Sequence, residues 1–312
     1  MSDILNTAVS GLLSFQRALG TTSHNIANVN TPGYSRQSVE FSTNNPSFFG
    51  GSFYGNGVQI ESITRSYDQF LTREVRDTTS AYARVARFSE LSSRIDDVLA
   101  DPAGGISPIL NDFFESVQGV ADDPASSTAR YAMINTAQTL AGRFQSIDTR
   151  FEELSRNTTN EIRSVVDEIN LLVGQIRDVN ISLNDIAPSA TSTQQSADLL
   201  DLRDNLLNQL AEKIDITVID EDENNLSIFI GNGQTVLTGI ESFTLSTQPD
   251  VSDPTREVIA YNGLISVYDI SSNLSGGELG GLLDFRDGVL DPTRNSLGRT
   301  AIGIAETFNA QM

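Results

Sequence analysis

The stretch HNIANVNTPGYSRQ, residues 24–37, stands where one hydrophobic period stops and another begins. Pro32 pushes Thr31 away from helical dihedrals, and Pro32-Gly33 suit the two central positions of a type II turn. Upstream of the turn, Ile4, Ala8, Leu12, Phe15, Leu19, Thr22 and Ile26 recur in steps of three and four, the spacing of one helix face. Such a stripe is about 36 Å long at ~1.5 Å per residue. Gly11, Gly20 and several Ser and Thr residues weaken the helix locally, so it should order when the stripe finds a partner. Ile4, Ala8, Leu12, Phe15, Leu19 and Ile26 are therefore the expected assembly interface, on a segment (1–34) that the Pro-Gly turn detaches from the rest of the chain.

Downstream, Ser38 to Phe41 alternate, and Val58, Ile60 and Ser62 alternate again after a glycine-rich 49–57, which predicts an extended or hairpin region over 35–66. A helical period then returns at 67–99. Asp101 to Gly105 break it, Ile109, Phe113, Phe114 and Val117 mark a shorter helix, and Ser126 or Ser127 is a suitable N-cap for the next. That next helix runs over 128–186 and is heptad-like in its second half: Phe151, Leu154, Thr158, Ile162, Val165, Ile169, Leu172, Ile176, Val179, Leu183 and Ile186. Alternating steps of three and four are the mark of a coiled-coil seam. Pro188 ends it, and a return helix over 197–213 carries Leu199, Leu202, Leu206 and Leu210, so the two should be antiparallel neighbours in a bundle spanning 67–213.

After Lys213 the period drops to two, through Ile214, Ile216 and Val218, then Leu226, Ile228 and Ile230, then 235–237 and 243–245. This predicts an antiparallel β domain over 214–273, followed by return helices over 274–312 that pack on the bundle. The fold class is α+β, mostly α: an elongated long-helix bundle with an inserted antiparallel β domain and a detached N-terminal amphipathic helix.

Charge and composition exclude several functions. The 312 residues carry a net charge of -21 with Lys213 the only lysine, a surface that repels phosphate backbones and offers no polybasic membrane patch. There is no cysteine, hence no disulfide, thiol nucleophile or Cys-ligated metal. The N-terminus lacks the basic region and cleavage site of a secretory signal, and no apolar run reaches the ~18 residues of a membrane span.

No motif points to catalysis, a cofactor or a metal. The run Asp220 to Asn225 has Asn225 where an EF-hand loop requires Gly and Gly231 where it requires Glu, so it reads as a hairpin turn. Gly231-Asn232-Gly233 lacks a third glycine and a following helix, so it too is a turn. His24 is the only histidine and has no G-x-S-x-G elbow to serve. The chain is expected not to be an enzyme.

The block 10–37, through Asn25, Ala27, Asn28, Asn30, Thr31, Pro32, Gly33 and Tyr34, resembles the N-terminal signature of the flagellar axial protein family, which includes rod, hook and hook-associated proteins. The blocks 55–76, 109–144, 198–218 and 276–290 are similar to its hook-associated protein 1 branch, the hook-filament junction proteins. The resemblance implies a structural, extracellular subunit of the bacterial flagellum, exported through the flagellar type III apparatus without a cleavable signal and with a dedicated export chaperone. It implies a homo-oligomer ring between the hook protein and hook-associated protein 3, assembled through amphipathic helices and transmitting torque. Family members continue past Met312 into more β structure and C-terminal helices, so the chain is expected to be truncated. The alternative is a soluble coiled-coil adaptor or export chaperone gripping a single partner through the helices of 151–210.

Overall fold

A computed structural model describes residues 2–49, 51–99, 105–186, 192–222, 224–254 and 256–310. Asp101 to Gly104 of the expected break, Pro188 and Glu223 lie outside the described residues. The elements in order are α1 (Ser2–Ala27), β1 (Gln37–Thr43), β2 (Ser47–Phe49), β3 (Ser52–Tyr54), β4 (Val58–Arg65), α2 (Gln69–Leu99), α3 (Ile106–Asp122), α4 (Ser127–Asp185) and α5 (Ser192–Lys213). There follow strands β5 (Ile216–Asp220), β6 (Leu226–Ile230), β7 (Gln234–Thr238), β8 (Glu241–Ser242), β9 (Thr244–Pro249), β10 (Glu257–Asn262) and β11 (Val267–Asp269). Helices α6 (Gly277–Phe285) and α7 (Asp291–Asn309) close the chain, joined by a π-helical turn at Arg286–Leu290. The fold is α+β and mostly α.

The local chemistry accounts for the boundaries. Asp68 caps α2 by accepting the Phe70 and Leu71 N–H at 3.0 and 3.1 Å, and the Ser126 hydroxyl accepts the Ala129 N–H at 3.2 Å at the start of α4. The last two helices follow one another without a gap. Pro292 has no N–H to donate and its ring crowds the carbonyl of residue 288, and the turn ahead of it widens to π geometry without breaking the helix.

The chain divides into two units. Unit one comprises Met1–Thr79, Ile169–Glu212 and Ile216–Thr244. In it β1 and β4 form an antiparallel pair with a bulge at Glu40/Phe41, and β5-β6-β7-β8 form a four-stranded antiparallel sheet. Its core is the α4 seam from Ile169 to Leu183 with Leu206, Leu207 and Leu210 of α5 and Leu226, Ile228, Ile230, Val236 and Leu237 of the sheet. Leu202, expected to face the core, is 46% exposed, because the inward positions beside it are taken by Asp201 and Arg203, each 7% exposed.

Unit two comprises Ser80–Glu168, Lys213–Asp215 and Leu245–Met312. It holds the β9-β10-β11 sheet and a core of Leu91, Ile95, Ile147, Phe151, Ile162, Leu279, Leu282 and Phe285. Gly277 is indispensable to it: φ is +59°, and a Cβ there would stand 2.3 Å from the Ile214 backbone nitrogen. On the surface, the Lys213 ammonium bridges Glu168 and Glu278, at 2.8 Å to each.

The division cuts across two expected ranges. The bundle of 67–213 contributes to both units, and the single β domain of 214–273 is two sheets in different units. A period of two reports that a segment is strand, not which sheet it joins. The N-terminal helix, expected to be detached by the Pro-Gly turn, packs on β1 and β4, while its apolar stripe stays exposed.

Candidate assembly site

Helix α1 has its two faces reversed relative to an ordinary surface helix. The face toward the hairpin is small and polar: Ser14 and Thr21 are buried, the Ser10 hydroxyl accepts the Val58 N–H at 3.3 Å, and the Ser14 hydroxyl donates to the Val58 carbonyl at 3.4 Å. The stripe Ile4, Ala8, Leu12, Phe15, Leu19 and Ile26 lies wholly on the exposed side, with Leu12 70% and Phe15 68% accessible. Phe15 reaches the Phe41 ring at 5.8 Å between centroids. An open groove of about 680 Å³ runs beside it, lined by Ala18, Thr22, Ile26, Val29, Val39 and Phe41 among others.

The opening motif forms a polar knot at the base of this helix. Thr31 accepts the Tyr34 N–H at 3.2 Å across a turn in which Gly33 has φ +79°, the geometry of a type II turn. That reversal brings Asn25 against β1, where its amide pairs with the Gln37 backbone in both directions at 2.8 and 2.9 Å and its oxygen also accepts the Tyr34 hydroxyl at 2.7 Å. Asn28 donates to the His24 carbonyl at 3.1 Å and accepts from Thr31 at 3.2 Å. Ala27, Asn30 and Pro32 face solvent.

Three carboxylates on α5 hold the knot. Asp198, Asp201 and Asp204 follow one another at intervals of three on the helix. Asp198 accepts Gln37 Nε2 at 2.7 Å and His24 Nε2 at 3.2 Å, and Asp201 accepts the Ser35 N–H at 3.0 Å. One Arg65 nitrogen bridges Asp201 and Asp204 at 2.7 and 2.9 Å, and Arg76 meets Asp204 at 3.1 Å. Burial, and then the charges of Asp198 and Asp201, push the Tyr34 phenol up, so it stays a proton donor to Asn25.

The carboxylate ladder with Arg65 and Arg76 escaped the sequence reading. The D-x-x-D-x-x-D spacing was the available signal, but it names a helix face and not the arginines that meet it. His24 sits in the knot as a hydrogen-bond partner of Asp198. Among the described residues no cluster of His, Cys, Asp and Glu could hold a metal ion, and no helix is long and apolar enough to cross a membrane.

The geometry can be set beside known proteins. Residues 92–312 match the family model of the flagellar hook-associated protein FlgK helical domain, and residues 5–34 match that of the flagella basal body rod protein. Flagellar hook-associated protein 1 of Salmonella typhimurium is 34% identical over 315 residues, covering 100% of this chain and 56% of the relative. The Escherichia coli protein of that name is 32% identical over 314 residues, covering 100% and 57%. The chain thus spans little more than half the length of these relatives. The solved flagellar hook junction protein FlgK from Burkholderia pseudomallei superposes with a TM-score of 0.68 at 27% identity, covering 76% of this chain and 43% of that one.

Proposed function

This chain belongs to the flagellar hook-associated protein FlgK family, and on that premise we propose that it is a junction subunit between hook and filament, self-assembling through its N-terminal helix. A structural role in the flagellum and the absence of enzymatic activity follow from the family. The observation that carries the finer reading is the reversed helix α1, which turns a small polar face to its own unit and an apolar stripe outward. Burying that stripe against neighbouring subunits removes it from water at about 25 cal/mol per Å². The motif knot sets the angle at which the helix leaves the body, so a load taken by the stripe reaches α5 through Asp198, Asp201 and Arg65. On this reading copies of the chain form a ring that meets the hook protein on one side and hook-associated protein 3 on the other, after type III export with a dedicated chaperone.

The adaptor reading loses its binding surface, because the α4 seam from Phe151 to Leu183 is buried within the chain apart from half-buried Leu154. The test is a full-length chain carrying Leu12→Asp and Phe15→Asp. It should melt like the parent while failing to incorporate at the hook tip. Normal filaments on cells producing only this variant would show that the stripe does not assemble.

A further inference from the structure

Unit one has a second cavity, which the stripe does not touch. It is a pocket of about 540 Å³ on which Arg65, Arg73, Arg76 and Arg203 converge, in a chain whose acids outnumber its bases 41 to 20. Two of the four are neutralised, Arg65 by Asp201 and Asp204 and Arg76 by Asp204. The other two form no ion pair among the described residues, although Arg203 lies in the field of Asp204 and Asp220. Arg73 is exposed and makes no hydrogen bond or ion pair among the described residues. Arg203 is 7% exposed, and one of its terminal nitrogens donates to the Asn180 side-chain oxygen at 3.3 Å and the Asn224 carbonyl at 2.9 Å, both neutral, while its Nε–H has no acceptor among the described residues.

The wall carboxylates Asp220 and Asp222 accept their hydrogen bonds from other groups and act on Arg203 only through their charge. Asp220 accepts Gln69 Nε2 at 2.6 Å, and Asp222 accepts the Asn224 and Asn225 N–H groups at 2.8 and 2.7 Å. The Tyr67 ring lies 4.9 Å from the Arg65 guanidinium carbon and holds that plane. A buried N–H without an acceptor is costly, and a planar guanidinium is built to take two carboxylate oxygens at once.

We propose that this pocket binds a carboxylate, carried on an acidic side chain of a second copy of the chain. The net charge of -21 gives every copy many such groups, and one positive pocket meeting an acidic surface elsewhere on the next molecule is a heterologous contact, the kind that propagates round a ring. The source of the carboxylate rests on the assembly reading, whereas the carboxylate chemistry does not.

Two experiments separate them. In the first, the arginine Nε–H signals are followed by NMR while citrate is added at constant ionic strength. Saturable shifts are expected at Arg73 and Arg203, with affinity weakened at least tenfold in Arg73→Gln, an exposed change whose unaltered melting curve confirms the fold. Arg203→Lys should weaken it too, since charge without the planar fork cannot grip both oxygens. Shifts that never saturate, or that survive Arg73→Gln unchanged, overturn the pocket and leave the stripe reading untouched. In the second, a full-length Arg73→Glu chain should incorporate into rings at least tenfold less than the parent. Full incorporation by a variant that no longer binds citrate would overturn a neighbouring copy as the source. Citrate binding that persists in the Leu12→Asp, Phe15→Asp chain shows the pocket intact where assembly has failed.

Discussion

The first helix and the fourth have nearly the same hydrophobic rhythm and opposite fates. On α4, Phe151, Ile162, Ile169 and Ile176 are at most 1% exposed, while on α1 Leu12, Phe15, Leu19 and Ile26 are all 67% exposed or more. Steps of three and four therefore announce a helix and a sticky face, and they are silent about whose surface covers it. What distinguishes the two is the opposite face. On α1 small hydroxyl residues pack inward, so the body is satisfied without the stripe.

Substitutions should widen this contrast. Ile176→Ala, at 0% exposure in the seam, should cost about 4 kcal/mol in denaturant unfolding, because a cavity is left where the unit is close-packed. Asp201→Ala should cost about 3 kcal/mol by the same measurement, since Arg65, paired at 2.7 Å with both partners little exposed, loses half of its countercharge. Tyr34→Phe removes one hydrogen bond to Asn25 and should cost about 1 kcal/mol. Its pH dependence has a definite sign. The folded phenol titrates above the unfolded value, so the parent keeps this stabilisation below the ordinary tyrosine range near 10 and loses it as pH rises through the raised value. The difference between parent and Phe variant should shrink accordingly in alkaline melts. Leu12→Ser should change stability by no more than about 0.5 kcal/mol, and an equal loss at Leu12 and Ile176 would erase the comparison.

Much of this was legible in the chain. Pro32-Gly33 gave the turn, the heptads of α4 gave its buried seam, and Ser126 gave a cap, because each depends on residues close in sequence. The knot and its ladder were not legible in the same way. Asn25 is recognisable as a motif residue, but its partner Gln37 lies twelve positions on, Asp201 lies 136 residues from Arg65, and Asp198 lies 174 residues from His24. Unit membership was hidden for a related reason, since α2 and α4 each contribute to both units without any break in periodicity. Leu202 failed because a polar pair, Asp201 and Arg203, claims the interior there once Arg65 and Asn180 are near.

Gly11 and Gly20 have nothing within 4 Å of where a Cβ would stand, so no packing demands them. Each lowers the helix's own stability by about 1 kcal/mol relative to alanine. Helix α1 is formed and packed on β1 and β4 all the same, so contacts such as those of Ser10 and Ser14 with Val58 offset that cost within the unit. Alanine at both should stabilise the helix by about 1 kcal/mol at each position while adding only two methyl groups to its surface. On the proposed assembly reading, the two glycines set how rigidly the helix presents its stripe to a neighbour.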